Sequence, residues 1–308
     1  AQRLSNMRIT NTRNKAGSQT ISFYELTWSD ITTERKRGLD FDTSGEFTQR
    51  RASFNNTMKV FLNDVAPDPI IFFADRQNLI GTAIQQAICW MLADREGESI
   101  AGNQSQVCRA SSLSTLSSLE KYNVAFITHS LGSRIIIDAL GDIVEMLGDD
   151  QTKANHPDLV ARLQEKEVSI FMLSNQLPLL QIGLPAPRVV GQIDDYCHED
   201  GSKHDLRAFN KVNIAAFSDP NDLLSYAIMP DFVDNYLDSR MCPAVTNIQI
   251  NVASQISALG VSIVNPISAH GQYHLDDRVI ELISHGNNDL EHNELLSGRC
   301  RMIQIENY

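Results

Sequence analysis

The chain has 308 residues, 42% of them hydrophobic, and a formal net charge of −12. That is enough apolar material for a large core, and the acidic balance excludes electrostatic recruitment to nucleic acid or to an anionic membrane, which carry the same sign. No unbroken apolar run is long enough to span a bilayer.

In chain order, the pattern predicts a strand over 20–28, a charged loop through Arg35-Lys36-Arg37, and helices near 47–62 and 79–93. A stretch rich in Ser, Gly, Asn and Gln, 97–118, reads as a mobile surface loop. Asn123 to Ile127 is then an apolar run of the kind that forms a parallel strand covered on both faces. Beyond Gly132, Ile136, Leu140, Ile143, Val144 and Leu147 fall on one helical face. A helix over 158–167 and strands at 168–173, 212–217 and 261–266 follow, with helical spacing resuming over 275–284. Strands alternating with helices from residue 123 onward predict an α/β domain with a mostly parallel central sheet and helices on both faces.

Thr128-His129-Ser130-Leu131-Gly132 lies where the strand at 123–127 gives way to that helix. A serine at such a turn is held in a strained backbone with its hydroxyl in solvent above the sheet, and small residues two positions to either side let strand and helix approach. Gly132 meets that demand fully and Thr128 only in part. The segment 127–133 resembles the nucleophile elbow of the α/β-hydrolase superfamily, in its lipase and esterase branch. The resemblance implies Ser130 as nucleophile, followed in chain order by Asp or Glu and then His, each beyond a later strand. The plain alternative for Ser130 is a helix N-cap.

Two carboxylates, Asp219 and Asp222, follow the strand at 212–217. Asp219 precedes Pro220 and suits the N-cap of a helix starting there. Asp222 has no such structural task, and Asn221-Asp222 before two aliphatic residues is similar to the acid-bearing segment of lipases, so Asp222 is favoured, with Asp219 as its rival. The loop expected over 267–274 holds His270, which resembles the family's base in a His-x-x-Tyr segment, and His274 in reserve. Together the three residue types make a nucleophile from a hydroxyl: imidazole takes the serine proton, and carboxylate fixes the tautomer and stabilises the imidazolium.

The oxyanion of the intermediate needs donors in place, and the Leu131 N–H supplies one. The family's second donor comes from a His-Gly-type loop well before the elbow, and none occurs between Ala1 and Thr128. The expectation is that the first strands and this donor precede residue 1; the rival source is the loop Ala74-Asp75-Arg76-Gln77. Otherwise 1–308 reads as one catalytic domain. The segment 175–185 carries Leu177, Leu179 and Leu180, and its prolines exclude a regular helix. It serves equally as the wall of an acyl pocket or as a buried connector. The acidic stretch 194–205 matches no metal-ligand spacing and reads as a solvated loop, so neither metal nor cofactor is expected. Five cysteines without a C-x-x-C pair indicate no dense disulfide framework, and the odd count leans towards a reducing compartment such as the cytoplasm. The resulting expectation is a serine hydrolase acting on a small-molecule or lipid ester. Acyl transfer and amide hydrolysis use the same machinery, and a non-catalytic binding module on the same fold is the alternative of a different class.

Overall fold

The computed structural model describes residues 6–13, 20–43, 51–74, 79–92, 122–258, 261–285 and 301–305. The chain divides into two compact units, Ala1–Ser118 and Leu119–Tyr308. The expected mobile loop at 97–118 lies outside the described residues, as do 75–77 of the rival oxyanion loop.

In the first unit, β1 (Asn6–Arg13) pairs antiparallel with β2 (Thr20–Thr27), Thr10 standing opposite Phe23. Among the described residues four helices follow, α1 (Ser29–Thr43), α2 (Ser53–Val65), α3 (Pro67–Ala74) and α4 (Ile80–Leu92). The stretch Arg35-Lys36-Arg37, expected as a loop, lies inside α1. Glu, Lys and Arg are good helix formers, and a polar helix needs only a narrow buried face; among the α1 side chains described, Ile31 and Thr32 are buried. Lys36 reaches Asp68 in the first turn of α3 at 2.6 Å.

The second unit is an α/β domain. Its sheet runs in the order β3 (Ala125–His129), β4 (Glu167–Leu173), β5 (Lys211–Ser218), β6 (Pro243–Gln249) and β9 (Arg301–Ile305). The first four strands are parallel, and β9 joins β6 antiparallel. Burial explains the apolar runs: Ile170 and Met172 of β4 point to one face and Phe171 and Leu173 to the other, and all four are buried. Ile214, Ala215, Ala216 and Phe217 repeat this on β5, so the middle of the sheet is covered on both faces. The strand before the elbow differs. Among the described residues β3 ends the sheet, and Ile127 is 51% exposed, so the expectation of a strand covered on both faces is corrected.

The crossovers are helical. α5 (Gly132–Gly148) buries Ile136, Leu140, Val144 and Leu147 along the face that the sequence predicts, and α6 (Asp150–Asn155) and α7 (Pro157–Gln164) return the chain to β4. After β4 come α8 (Leu177–Gln181) and α9 (Ile193–Cys197), and after β5 comes α10 (Pro230–Tyr236). Pro178 is in the first turn of α8, where a missing N–H costs nothing, so the prolines, expected from sequence to exclude a helix, instead shorten one. Beyond β6 the chain forms a separate antiparallel ribbon, β7 (Gln255–Ala258) and β8 (Val261–Val264), then α11 (Pro266–Gly271) and α12 (Asp277–His285). The strand at 261–264 therefore exists but lies outside the main sheet. Val279 and Leu282 of α12 pack with Phe171, Phe217, Ile248 and Tyr273. Among the described residues, no helix is long and apolar enough to cross a membrane.

Candidate active site

The carboxyl ends of β3, β4 and β5 lie side by side, where open α/β sheets bind ligands. Ser130 follows β3 and adopts φ 56°, a left-handed conformation that costs an L-residue about 1–2 kcal/mol. Its N–H donates to the Leu173 carbonyl at 3.0 Å, and its carbonyl accepts from Ser133 N–H and Oγ at 3.0 and 2.9 Å. The turn is thus clamped to the neighbouring strand and the new helix, with the hydroxyl left to project. A Cβ on Gly132 would stand 3.2 Å from the Thr128 Cβ, so Thr128 fills the space that a smaller residue would leave open. Leu131 opens α5, where the first N–H groups have no acceptor within the helix.

The structure brings Ser130, His270 and Asp222 together. Ser130 Oγ is 3.1 Å from His270 Nε2, and His270 Nδ1 is 3.0 and 3.2 Å from the two Asp222 oxygens. His270 is 6% exposed and Asp222 5%. His270 sits in the last turn of the short helix α11 and not in a loop as expected. Asn265 caps that helix through Ile267 N–H, with Pro266 in the first turn, a helix-start signal in the sequence. His274 is exposed, in a single turn of 3₁₀ helix at Tyr273–Leu275.

The Asp219 carboxylate bonds elsewhere. No helix starts at Pro220, because the side chains of Asp219 and Asp222 each bond backbone two residues ahead and so compete with helix formation. Asp219 Oδ1 accepts from Asn221 N–H at 2.7 Å and Oδ2 from Val252 N–H at 2.7 Å, tying its loop to the segment after β6. Asp222 accepts from Leu224 N–H at 3.0 Å. Burial pushes the Asp222 carboxyl up, yet the bonds from His270, Ser174 and Leu224 outweigh it and hold the group below its ordinary range. With Asp222 ionised, the imidazole proton belongs on Nδ1 and the Nε2 lone pair faces the serine hydroxyl.

Three residues that sequence reasoning passed over hold this line in place. Ser174, immediately after β4, donates to Asp222 Oδ2 at 2.6 Å. Asn175 is wholly buried: its N–H donates to the Phe217 carbonyl, its amide to the Tyr226 carbonyl at 2.7 Å, and its carbonyl accepts from Tyr226 N–H at 2.8 Å. His129 donates from Nε2 to the His270 carbonyl at 2.7 Å. The available signal was weak: Ser-Asn directly after a buried strand, at the edge where Ser130 lies.

Of the apolar segment, Leu177 and Leu180 are buried, Leu179 is half-buried and Ile182 is 78% exposed. Arg134 donates to Gln181 at 2.5 Å, and Gln181 donates to the Leu184 and Pro185 carbonyls, fixing the segment to α5. The acidic stretch 194–205 is internally bonded. Lys203 pairs with Asp195 and Gln192, a Cβ on Gly201 would collide with the Asp195 carbonyl at 2.3 Å, and Cys197 is disulfide-bonded to Cys242. Among the described residues, no group of three or more His, Cys, Asp or Glu is arranged to hold a metal ion. No family model matches this chain, and no significant match is found among curated proteins or solved structures.

Proposed function

We propose that this chain is a serine hydrolase of the α/β-hydrolase type, a lipase or esterase that cleaves carboxylic esters through an acyl-enzyme on Ser130. The observation that carries the reading is the continuous hydrogen-bonded line from Ser130 Oγ through His270 to Asp222, begun by a serine with φ 56° between strand and helix. Ser130 Oγ attacks the ester carbonyl as its proton passes to His270 Nε2, and the imidazolium is stabilised by Asp222. The oxyanion meets the Leu131 N–H at the helix start. Collapse expels the alcohol with the proton from Nε2. Water then attacks the acyl-enzyme by the same route in reverse, giving the carboxylic acid and free serine.

A fluorophosphonate probe tests this, since only an activated serine displaces its fluoride. Intact mass should rise by one adduct in the wild-type chain and not in Ser130→Ala. An adduct retained by Ser130→Ala refutes the assignment. A folded wild-type chain that never labels supports the binding-module alternative.

A further inference from the structure

Ser174 is 0% exposed and has φ 50°, a conformation in which glycine or asparagine would be less strained. Its place is fixed by Asn175, whose N–H donates to the Phe217 carbonyl at 2.9 Å and whose side chain grips the loop beyond Asp222. The hydroxyl lies between two members of the site, 2.6 Å from Asp222 Oδ2 and 2.9 Å from His270 Nδ1. A hydroxyl has one proton to give. The carboxylate can only accept, so that proton goes to Asp222 and an Oγ lone pair is left facing Nδ1. The arrangement is satisfied when Nδ1 carries hydrogen and Asp222 carries charge. In the other neutral tautomer, the Nδ1 lone pair would oppose the carboxylate, and the Oγ lone pair too unless the hydroxyl abandoned Asp222.

We propose that Ser174 is a positioning residue, a hydroxyl clamped between acid and base that keeps the imidazole proton on Nδ1 and the negative charge on Asp222, leaving Nε2 as the base. Its effect on rate rests on the ester-hydrolase reading above; its effect on the Asp222 carboxyl does not. The titratable groups that face Asp222 are His270 of α11, Tyr273 with its hydroxyl 3.4 Å away, and His129 of β3 at longer range. Asp219 lies on the far side of Tyr273, whose hydroxyl accepts from the Asp219 N–H at 2.6 Å. Tyr273 is kept neutral by burial and can donate, but at 3.4 Å its hydroxyl lends Asp222 only a long, weak bond.

Ser174→Gly is the informative variant, because glycine accepts the backbone conformation while the hydroxyl is lost. Ser174→Ala is its companion, keeping the Cβ in the buried site. Carbon-13 NMR of the Asp222 carboxyl should show its titration midpoint moved upward in both variants. A mere packing role would not produce that shift. With a nitrophenyl ester, kcat should fall about tenfold to a hundredfold at unchanged KM, the range of one hydrogen bond to a charged group. In the wild-type chain, nitrogen-15 shifts of His270 should show Nδ1 protonated and Nε2 bare. An unmoved Asp222 midpoint in a folded variant overturns the proposal, as does the opposite tautomer in the wild type. If the wild-type chain neither labels nor turns over ester, the hydrolase reading fails, while the Asp222 midpoint still decides the role of Ser174.

Discussion

Replacing Asp222 by Asn changes one atom of the site and tests its whole logic. The carboxylate accepts from His270, Ser174 and Leu224, with the Tyr273 hydroxyl at 3.4 Å. The Leu224 N–H needs an acceptor at the Oδ1 position, so the new NH₂ takes the place of Oδ2, beside the Ser174 hydroxyl and 3.2 Å from His270 Nδ1. The favoured response is to move the imidazole proton to Nε2, where it confronts the Ser130 hydroxyl and removes the base. The same exchange costs about 10⁴ in a serine protease, equivalent to roughly 5.5 kcal/mol of barrier. Asp219→Asn is the matched control. It leaves either Asn221 N–H or Val252 N–H facing a donor, which should cost about 1–3 kcal/mol of stability and little rate. Turnover of a nitrophenyl ester and denaturant unfolding, measured on both variants, separate the two roles. The reasoning is refuted if Asp222→Asn stays within tenfold of wild type, or if Asp219→Asn abolishes turnover with unaltered unfolding. The pair also has a pH signature. The Asp222 carboxyl is held below its ordinary value of 3.8, so its stabilising contribution is complete above the unfolded pKa and disappears as pH falls through the lower folded one. The wild type should therefore lose stability relative to Asp222→Asn on acidification below about pH 4.

Gly132→Ala should destabilise the chain and impair the elbow, because its methyl meets Thr128 at 3.2 Å, and Thr128→Gly in the same chain should restore both; an unrescued double variant, read by unfolding and turnover, counts against that contact. Reduction of Cys197–Cys242, which are 45 residues apart in sequence, should lower stability by up to about 4 kcal/mol, checked by thiol titration beside denaturant unfolding with and without reductant. Leu177→Ala should cost about 2–5 kcal/mol of stability, since that side chain is wholly buried. If the half-buried Leu179 lines the acyl site, kcat/KM should rise from acetate to octanoate and Leu179→Ala should flatten the rise, whereas a flat wild-type profile marks the segment as a connector.

The parallel core was legible because β4 and β5 are buried on both faces and so read as unbroken apolar runs. The turn at Ser130 was legible for a related reason: strand, turn and helix each leave a distinct period in the chain. The polar helix α1 escaped because its few buried positions leave almost no periodic signal, and β6 because Pro243-Ala244-Val245-Thr246-Asn247 mixes polar and apolar residues. Asn247 is nonetheless buried, its amide bonded to both the N–H and the carbonyl of Ile228. Asp219 was misread as a helix cap, since a carboxylate before proline is the same word whether a helix or an Asx-type turn follows. Ser174 could not be found from sequence, because its role depends on a meeting of residues 48 and 96 positions away.

Consecutive residues of the elbow address the same histidine in two ways. His129 bonds its backbone carbonyl, and Ser130 bonds its ring. The spacing between Ser130 and His270 is thereby gauged by one dipeptide, over a path far shorter than the route through β4, β5, β6 and the β7–β8 ribbon. Small displacements of that ribbon or of the distal sheet edge would then be absorbed before they reach the Ser130–His270 bond, so insertions there should leave that bond in register. Residue 129 is then an adjusting screw: changing the length or the donor of its side chain would move His270 through its main chain, while the ring keeps its own bonds to Ser130 and Asp222.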